Sequence, residues 1–132
     1  GGALGQRLYL KVADIVVHNQ KPEVAPDTDI KKVIVEISEK MLGVAAVIDN
    51  GRIVGVVTDG DIRRMLSKTD SIKGLVAKDI MSANPKTIDL ESLAIDALHL
   101  MEKNKITQLL VTREGQYEGI IHLHNLIQEG LI

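Results

Sequence analysis

The 132-residue chain has 16 basic and 18 acidic side chains, a net charge of −2 and a pI near 6.1, so it lacks the basic face that a nucleic-acid binder needs. Tyr9 and Tyr117 are the only aromatic residues, too few for base-stacking platforms, and the absence of cysteine excludes disulfides, a thiol nucleophile and Cys-ligated zinc. The longest apolar runs, such as Val44 to Ile48, fall far short of the roughly 20 residues that span a bilayer, and no signal-peptide pattern opens the chain; a cytoplasmic protein with an aliphatic core is expected, with no membrane and no nucleic acid as partner.

In chain order, Gly1 to Gly5 is a run of small residues, and residues 1–11 are expected to be a linker or the remnant of a preceding domain. Leu8, Leu10 and Val12 lead into Ala13-Asp14-Ile15-Val16. His18 to Pro26 reads as a loop broken by Pro22 and Pro26, with Glu23-Val24-Ala25 as a short extended piece. A helix is predicted from Asp27, with Asp27 or Thr28 as N-cap. Its apolar stripe is Ile30, Ile34, Ile37 and Met41, and Gly43 stands where a left-handed C-terminal residue is wanted. Val44 to Ile48 is a buried strand. Asp49-Asn50-Gly51 is a hairpin turn, because Asn and Gly tolerate positive φ, and Ile53 to Val57 returns antiparallel. A second helix, about Asp59 to Leu66, ends in the polar linker Ser67 to Ser71.

The pattern then recurs. Val76 to Met81 echoes Val12 to Val16, and Pro85-Lys86-Thr87-Ile88 is the extended piece. Asp89 is the expected cap of a helix with Leu93, Ala97, Leu100 and Met101 inward, and Asn104 takes the role of Gly43. Gln108 to Val111 and Tyr117 to Ile121 are strands joined through Gly115, and His124 to Gln128 opens the last helix. The predicted offset is 63 residues over the helices and 64 after the turn, with a one-residue turn insertion between. The reading is therefore two copies of strand-helix-strand-strand-helix, residues 12–71 and 72–132. Each copy is too small to bury a good core alone. The fold class is mixed α/β (α+β), with the copies packed through their sheets about a pseudo-twofold axis.

Gly55-Val56-Val57-Thr58-Asp59-Gly60-Asp61 carries the chemistry. An apolar strand hands over to a helix there, with a hydroxyl and two carboxylates at the tip. The helix N-terminus favours phosphate oxygens, Thr58 can donate to phosphate, and Asp61 can accept from ribose hydroxyls. The same residues serve equally as helix caps with no ligand, and Gly55 can simply permit a close strand crossing. Its twin, Gly119 to Asn125, puts His122 in place of the threonine and Asn125 in place of the aspartate. His122 and His124 alternate with Leu123, so while the strand lasts they point to one face. No third metal ligand is evident, and no metal is expected. Ser67 has no His or Asp partner, which argues against hydrolase chemistry.

With its repeat and its Gly-x-x-Thr-x-x-Asp junction, the chain resembles a cystathionine-β-synthase (CBS) domain pair, or Bateman module, over about residues 12–132. Gly2 to Leu8, Lys11 to Ile15, Thr58 to Arg64 and Leu123 to Leu126 are similar to the C-terminal part of the arabinose-5-phosphate isomerases. That resemblance implies an upstream sugar isomerase (SIS) domain that holds the catalytic parts, at the entrance to Kdo synthesis for lipopolysaccharide or capsule. The chain itself is then expected to have no catalytic residue and no isomerase activity. It further implies a regulatory ligand, AMP or ATP or the activated end product CMP-Kdo, no required cofactor, and homo-oligomers, commonly dimers, formed through helices. The ligand-binding residues it implies are Val56, Thr58, Gly60 and Asp61, with Pro85, Lys86, Ile106 and Thr107 from the second repeat, and Lys86 or Arg63 balancing phosphate charge. A second, weaker cleft takes Pro22, Glu23 and Val44 with Ile120, His122 and Asn125. A ligand-free role in dimerisation is the alternative.

Overall fold

The computed structural model describes residues 8–132; the opening glycine-rich run and the rest of residues 1–7 fall outside them. The elements in order are α1 (Val12–Val16), β1 (Glu23–Val24), α2 (Ile30–Lys40), β2 (Val44–Asp49), β3 (Arg52–Thr58), α3 (Asp59–Lys68), α4 (Ala77–Ile80), β4 (Thr87–Asp89), α5 (Ala94–Asn104), β5 (Gln108–Arg113), β6 (Gln116–His122) and α6 (Leu123–Gln128). None of these helices is long and apolar enough to cross a membrane. The mixed α+β class stands, with two three-stranded sheets, β1-β2-β3 and β4-β5-β6.

The two compact units are not drawn along the sequence repeats. One is Lys21–Pro85; the other joins Gly1–Gln20 to Lys86–Ile132. The short helix that opens each repeat therefore packs in the unit built from the other repeat's strands. In the unit Lys21–Pro85, β1 runs parallel to β2 and β2 antiparallel to β3. Its core is Val33, Ile37, Ala45, Val47, Val57 and Ala77. The first amides of α4 lack partners within the helix and find them in a loop: Ala77 N–H donates to the Thr28 carbonyl at 2.8 Å and Lys78 N–H to that of Pro26 at 2.9 Å. Just beyond α4, Ser82 exchanges two backbone bonds with Val56 at 2.9 and 3.0 Å, extending the sheet past β3. Gly55 makes this possible, because a Cβ there would lie 2.6 Å from Met81 Sδ and 2.9 Å from the Ser82 carbonyl. The close crossing expected at Gly55 is thus real.

The other unit repeats the sheet with β4, β5 and β6. Its larger core joins Val12, Ile15 and Val16 of α1 to Ala97, Met101, Leu109, Val111, Ile121 and Leu126. Here α1 donates from Val12 to the Ser92 carbonyl at 2.8 Å and from Ala13 to that of Leu90 at 2.9 Å. Both hairpins close on two residues of positive φ, Asn50 and Gly51 at 50° and 80°, Glu114 and Gly115 at 51° and 78°, the type I′ geometry that matches strand twist. Each hairpin then carries a register shift, leaving Val54 and Glu118 as extra residues just before Gly55 and Gly119.

Several local expectations are corrected. The N-cap of α2 is Asp29, which accepts from Lys31 N–H at 3.0 Å, whereas Thr28 Oγ1 accepts from Ala25 N–H in the preceding turn. The buried stripe of α2 is Ile30, Val33 and Ile37; Ile34 is half-buried and Met41 is 85% exposed. Met41 itself takes the left-handed position after the helix, before Gly43 is reached. In α5 the buried residues are Ala94, Ala97, Leu98 and Met101, and Leu93 is the N-cap residue. Asp89 instead accepts from Glu91 N–H at 2.8 Å in the turn before it. Asn104 ends the helix, and Lys105, φ 55°, holds the left-handed position. With the helices in this phase, the repeat runs at 64 residues from β1 to α6: Ile30 matches Ala94, Met41 matches Lys105 and Thr58 matches His122. No turn insertion exists. The 63-residue offset came from pairing Ile30 with the similarly apolar Leu93 instead of with the small, fully buried Ala94.

Candidate functional site: the two strand-to-helix junctions

β3 ends at Thr58, and α3 starts at once. Thr58 Oγ1 accepts from Asp61 N–H at 3.1 Å, and Asp61 Oδ2 accepts from Thr58 N–H at 2.9 Å, the reciprocal pairing of a capping box. Asp59 N–H donates to the Gly43 carbonyl at 3.0 Å. Among the described residues, this leaves the Gly60 N–H of the first turn without an acceptor.

Asp61 is 7% exposed, and a carboxylate so enclosed needs partners. Its Oδ1 receives Arg64 Nη2 at 2.6 Å and Ser82 Oγ at 3.3 Å, with Ser82 Oγ 3.5 Å from Oδ2. The Arg64 side chain remains 64% exposed while its guanidinium is paired with Asp61. A cavity of about 220 Å³ beside it is lined by Asp61, Arg64, Met65, Lys68, Asp79 and Ile80. That is below the roughly 300–1,000 Å³ of a small-molecule pocket, so this cavity alone holds only part of a ligand. A larger depression, about 570 Å³, lies along β1 and α2 to the hairpin residues Asn50 and Gly51. It lies at the other end of the β2-β3 hairpin from Thr58, and its Glu36 carboxylate already accepts from Glu23 N–H at 3.1 Å.

The unit Lys21–Pro85 thus brings together Val56, Thr58, Gly60 and Asp61 and also carries Pro85. The remaining expected contacts belong to the other unit. Lys86 is exposed and its carbonyl accepts from Leu110 N–H at 3.2 Å. Ile106 is half-buried. Thr107 Oγ1 lies 3.0 Å from Gln108 Oε1, and its carbonyl accepts from Leu123 N–H at 2.8 Å.

The twin junction performs the same backbone task with neutral groups. Asn125 Oδ1 accepts from His122 N–H at 2.7 Å, and His122 Nδ1 accepts from His124 N–H at 3.0 Å. That bond occupies the amide equivalent to Gly60. Asn19 Nδ2 donates to the Ile120 carbonyl at 2.7 Å and to Asn125 Oδ1 at 3.0 Å, while Asn125 Nδ2 returns a bond to Asn19 Oδ1 at 3.3 Å. β6 ends at His122, so strand alternation does not align the two histidines; the turn into α6 sets their rings 4.4 Å apart. Burial, and secondly the neighbouring His124, push the His122 pKa below the usual histidine value. Capping through Nδ1 requires that nitrogen to be unprotonated. Of the other residues expected at this cleft, Pro22, Glu23 and Val44 lie in the unit Lys21–Pro85, where the Pro22 carbonyl accepts from Ala46 N–H and Val44 pairs with Thr58.

Sequence reasoning missed three partners. Arg64 was legible from its three-residue spacing to Asp61. Ser82 and Asn19 reach their junctions across the fold, and no local signal points to them.

A family model described as the CBS domain matches residues 12–68 and again 77–131. The chain is 36% identical to the arabinose 5-phosphate isomerase KdsD of Yersinia pestis over 134 residues and 42% identical to that of Francisella tularensis over 129. These alignments take in 100% and 96% of the chain but only 41% and 39% of the relatives. Among solved structures, CBSX2 in complex with AMP is similar with a TM-score of 0.72 and 25% identity, covering 92% of this chain and 96% of that one. Two matched repeats, two β-β-α junctions at one spacing and this likeness agree: the chain is a tandem pair of CBS domains and belongs to the CBS domain family.

Proposed function

We propose that this CBS pair is the regulatory region of an arabinose-5-phosphate isomerase, and that it binds a nucleotide or nucleotide sugar at the Thr58–Asp61 junction. The isomerase relatives and the AMP complex of CBSX2 support the reading. The observation that carries it is the asymmetry of the two junctions. At the first, a carboxylate suited to ribose hydroxyls stands beside a threonine hydroxyl and an amide with no acceptor among the described residues, at a helix N-terminus that favours anions. At the second, the carboxylate is an amide and His122 occupies the corresponding N–H.

In this reading Asp61 accepts from the ribose, Thr58 and Gly60 face the phosphate, and Pro85, Lys86, Ile106 and Thr107 are the further contacts to test. AMP or ATP is the generic ligand. CMP-Kdo is the candidate feedback ligand of a parent enzyme in Kdo synthesis. Regulation follows if the ligand prefers one arrangement of the parent over another. Catalysis belongs to an upstream sugar isomerase domain of a cytoplasmic homo-oligomer, and this chain alone does not turn over arabinose 5-phosphate.

A second reading, a ligand-free assembly module, draws on one observation: both Asp61 oxygens already have partners within the chain. Calorimetry with AMP, ATP and CMP-Kdo separates the two. Binding that disappears in Asp61→Ala, with the oligomer mass unchanged, supports the first. No heat and no thermal shift with any of the three favours the second.

A further inference from the structure

We infer that Arg64 is a resident counter-ion that gates Asp61, so that the site favours anionic over neutral ligands. The inference rests on the nucleotide-binding reading above and adds how that site is regulated. Three donors hold the Asp61 carboxylate: Thr58 N–H at 2.9 Å, Ser82 Oγ at 3.3 Å and Arg64 Nη2 at 2.6 Å. Thr58 is fixed at the end of β3, and Ser82 is held by two backbone bonds to Val56. Arg64 alone sits on a long, largely exposed side chain. A ribose hydroxyl that donates to Oδ1 therefore takes the place of Arg64.

The guanidinium also lies over the first turn of α3. A Cβ built on Gly60 would stand 3.3 Å from Arg64 Nη1, so the side chain lies against the residue whose N–H has no acceptor among the described residues. Displaced from Asp61, Arg64 is released beside the helix N-terminus. A phosphate there brings it a new anionic partner in place of Asp61, which a neutral nucleoside does not supply. The twin junction supplies the contrast. The positions 64 residues on from Asp61 and Arg64 are Asn125 and Gln128, so the carboxylate and the arginine are absent together.

The test is calorimetry of the 132-residue chain, of Arg64→Gln and of Arg64→Lys, with adenosine and with AMP. Arg64→Gln is expected to bind adenosine about two- to five-fold more tightly, the range set by one largely exposed ion pair, and to bind AMP no more tightly. The AMP-to-adenosine preference therefore falls, and Arg64→Lys restores it in part. Adenosine is uncharged, so its affinity for the unaltered chain should rise with salt that screens the pair, and for Arg64→Gln it should not. Equal or weaker adenosine binding by Arg64→Gln, with binding by the unaltered chain intact, overturns the gate alone. Binding that is absent from the unaltered chain, or that is untouched by Asp61→Asn, overturns the site reading and the gate with it.

Discussion

The two junctions use the same backbone architecture and different chemistry. At each, a strand gives way to a helix, the third helical residue reaches back to the N-cap amide, and a residue from elsewhere in the unit ties that residue to the strand, Ser82 through its hydroxyl and its backbone N–H and Asn19 through its side-chain amide alone. Ser82 does this for Asp61 and the Val56 carbonyl, and Asn19 does it for Asn125 and the Ile120 carbonyl. The neutral set shows that the fold needs only hydrogen bonds at this point. The charge of Asp61, and Arg64 with it, is not needed for the backbone handover that the neutral set performs.

The largest effects are expected at the glycines beneath the junctions. Gly55→Val drives a side chain into Met81 and the Ser82 backbone, and should cost about 2–3 kcal/mol in urea unfolding. Gly119→Ala meets Val16 Cγ1 at 2.9 Å and holds a φ of 146° that side chains rarely adopt; about 1–3 kcal/mol is expected. If both are tolerated, the close crossings contribute little. Next come the third helical residues. Asp61→Ala strands Thr58 N–H and Ser82 and frees Arg64, and should cost about 2 kcal/mol, against about 1 kcal/mol for Asn125→Ala. Equal losses would mean that the charged set adds no stability over the neutral one.

Much of this was legible in the sequence because it rests on local rules. Asn50-Gly51 demands a type I′ hairpin, alternation and β-branching mark the strands, and Thr58 and Asp61 are spaced for a capping box. What was not legible depends on distant packing. The phase of α5 turned on Ala94, a small residue that alternation of large apolar side chains does not reveal. Likewise, Ser82 and Asn19 are unremarkable serine and asparagine until the fold delivers them to Asp61 and Asn125. The exchange of opening helices between units is also unmarked, because Val12-Ala13-Asp14-Ile15 and Val76-Ala77-Lys78-Asp79 suit either sheet.

The smallest expected effect is on pH dependence, and it belongs to the twin alone. The folded protein holds the His122 pKa below the usual histidine value, chiefly through burial. Below about pH 6.5, the ordinary histidine value, the unfolded chain therefore binds the proton first. Its stabilising contribution is complete above that pH and is lost as pH falls through the lower folded value. Urea midpoints measured between about pH 7.5 and 5 should fall more steeply for the unaltered chain than for His122→Ser, which caps without titrating in that range. The difference should be at most about 1 kcal/mol, the worth of one cap. Parallel profiles would mean that His122 does not contribute to the pH dependence.

Whether a nucleotide chooses the charged junction over the neutral one is decided by AMP calorimetry on Asp61→Ala and Asn125→Ala side by side, each shown to be folded by circular dichroism. Binding is expected to be lost in Asp61→Ala and retained in Asn125→Ala. Retention in Asp61→Ala with loss in Asn125→Ala would place the ligand at the histidine-capped twin and contradict that expectation.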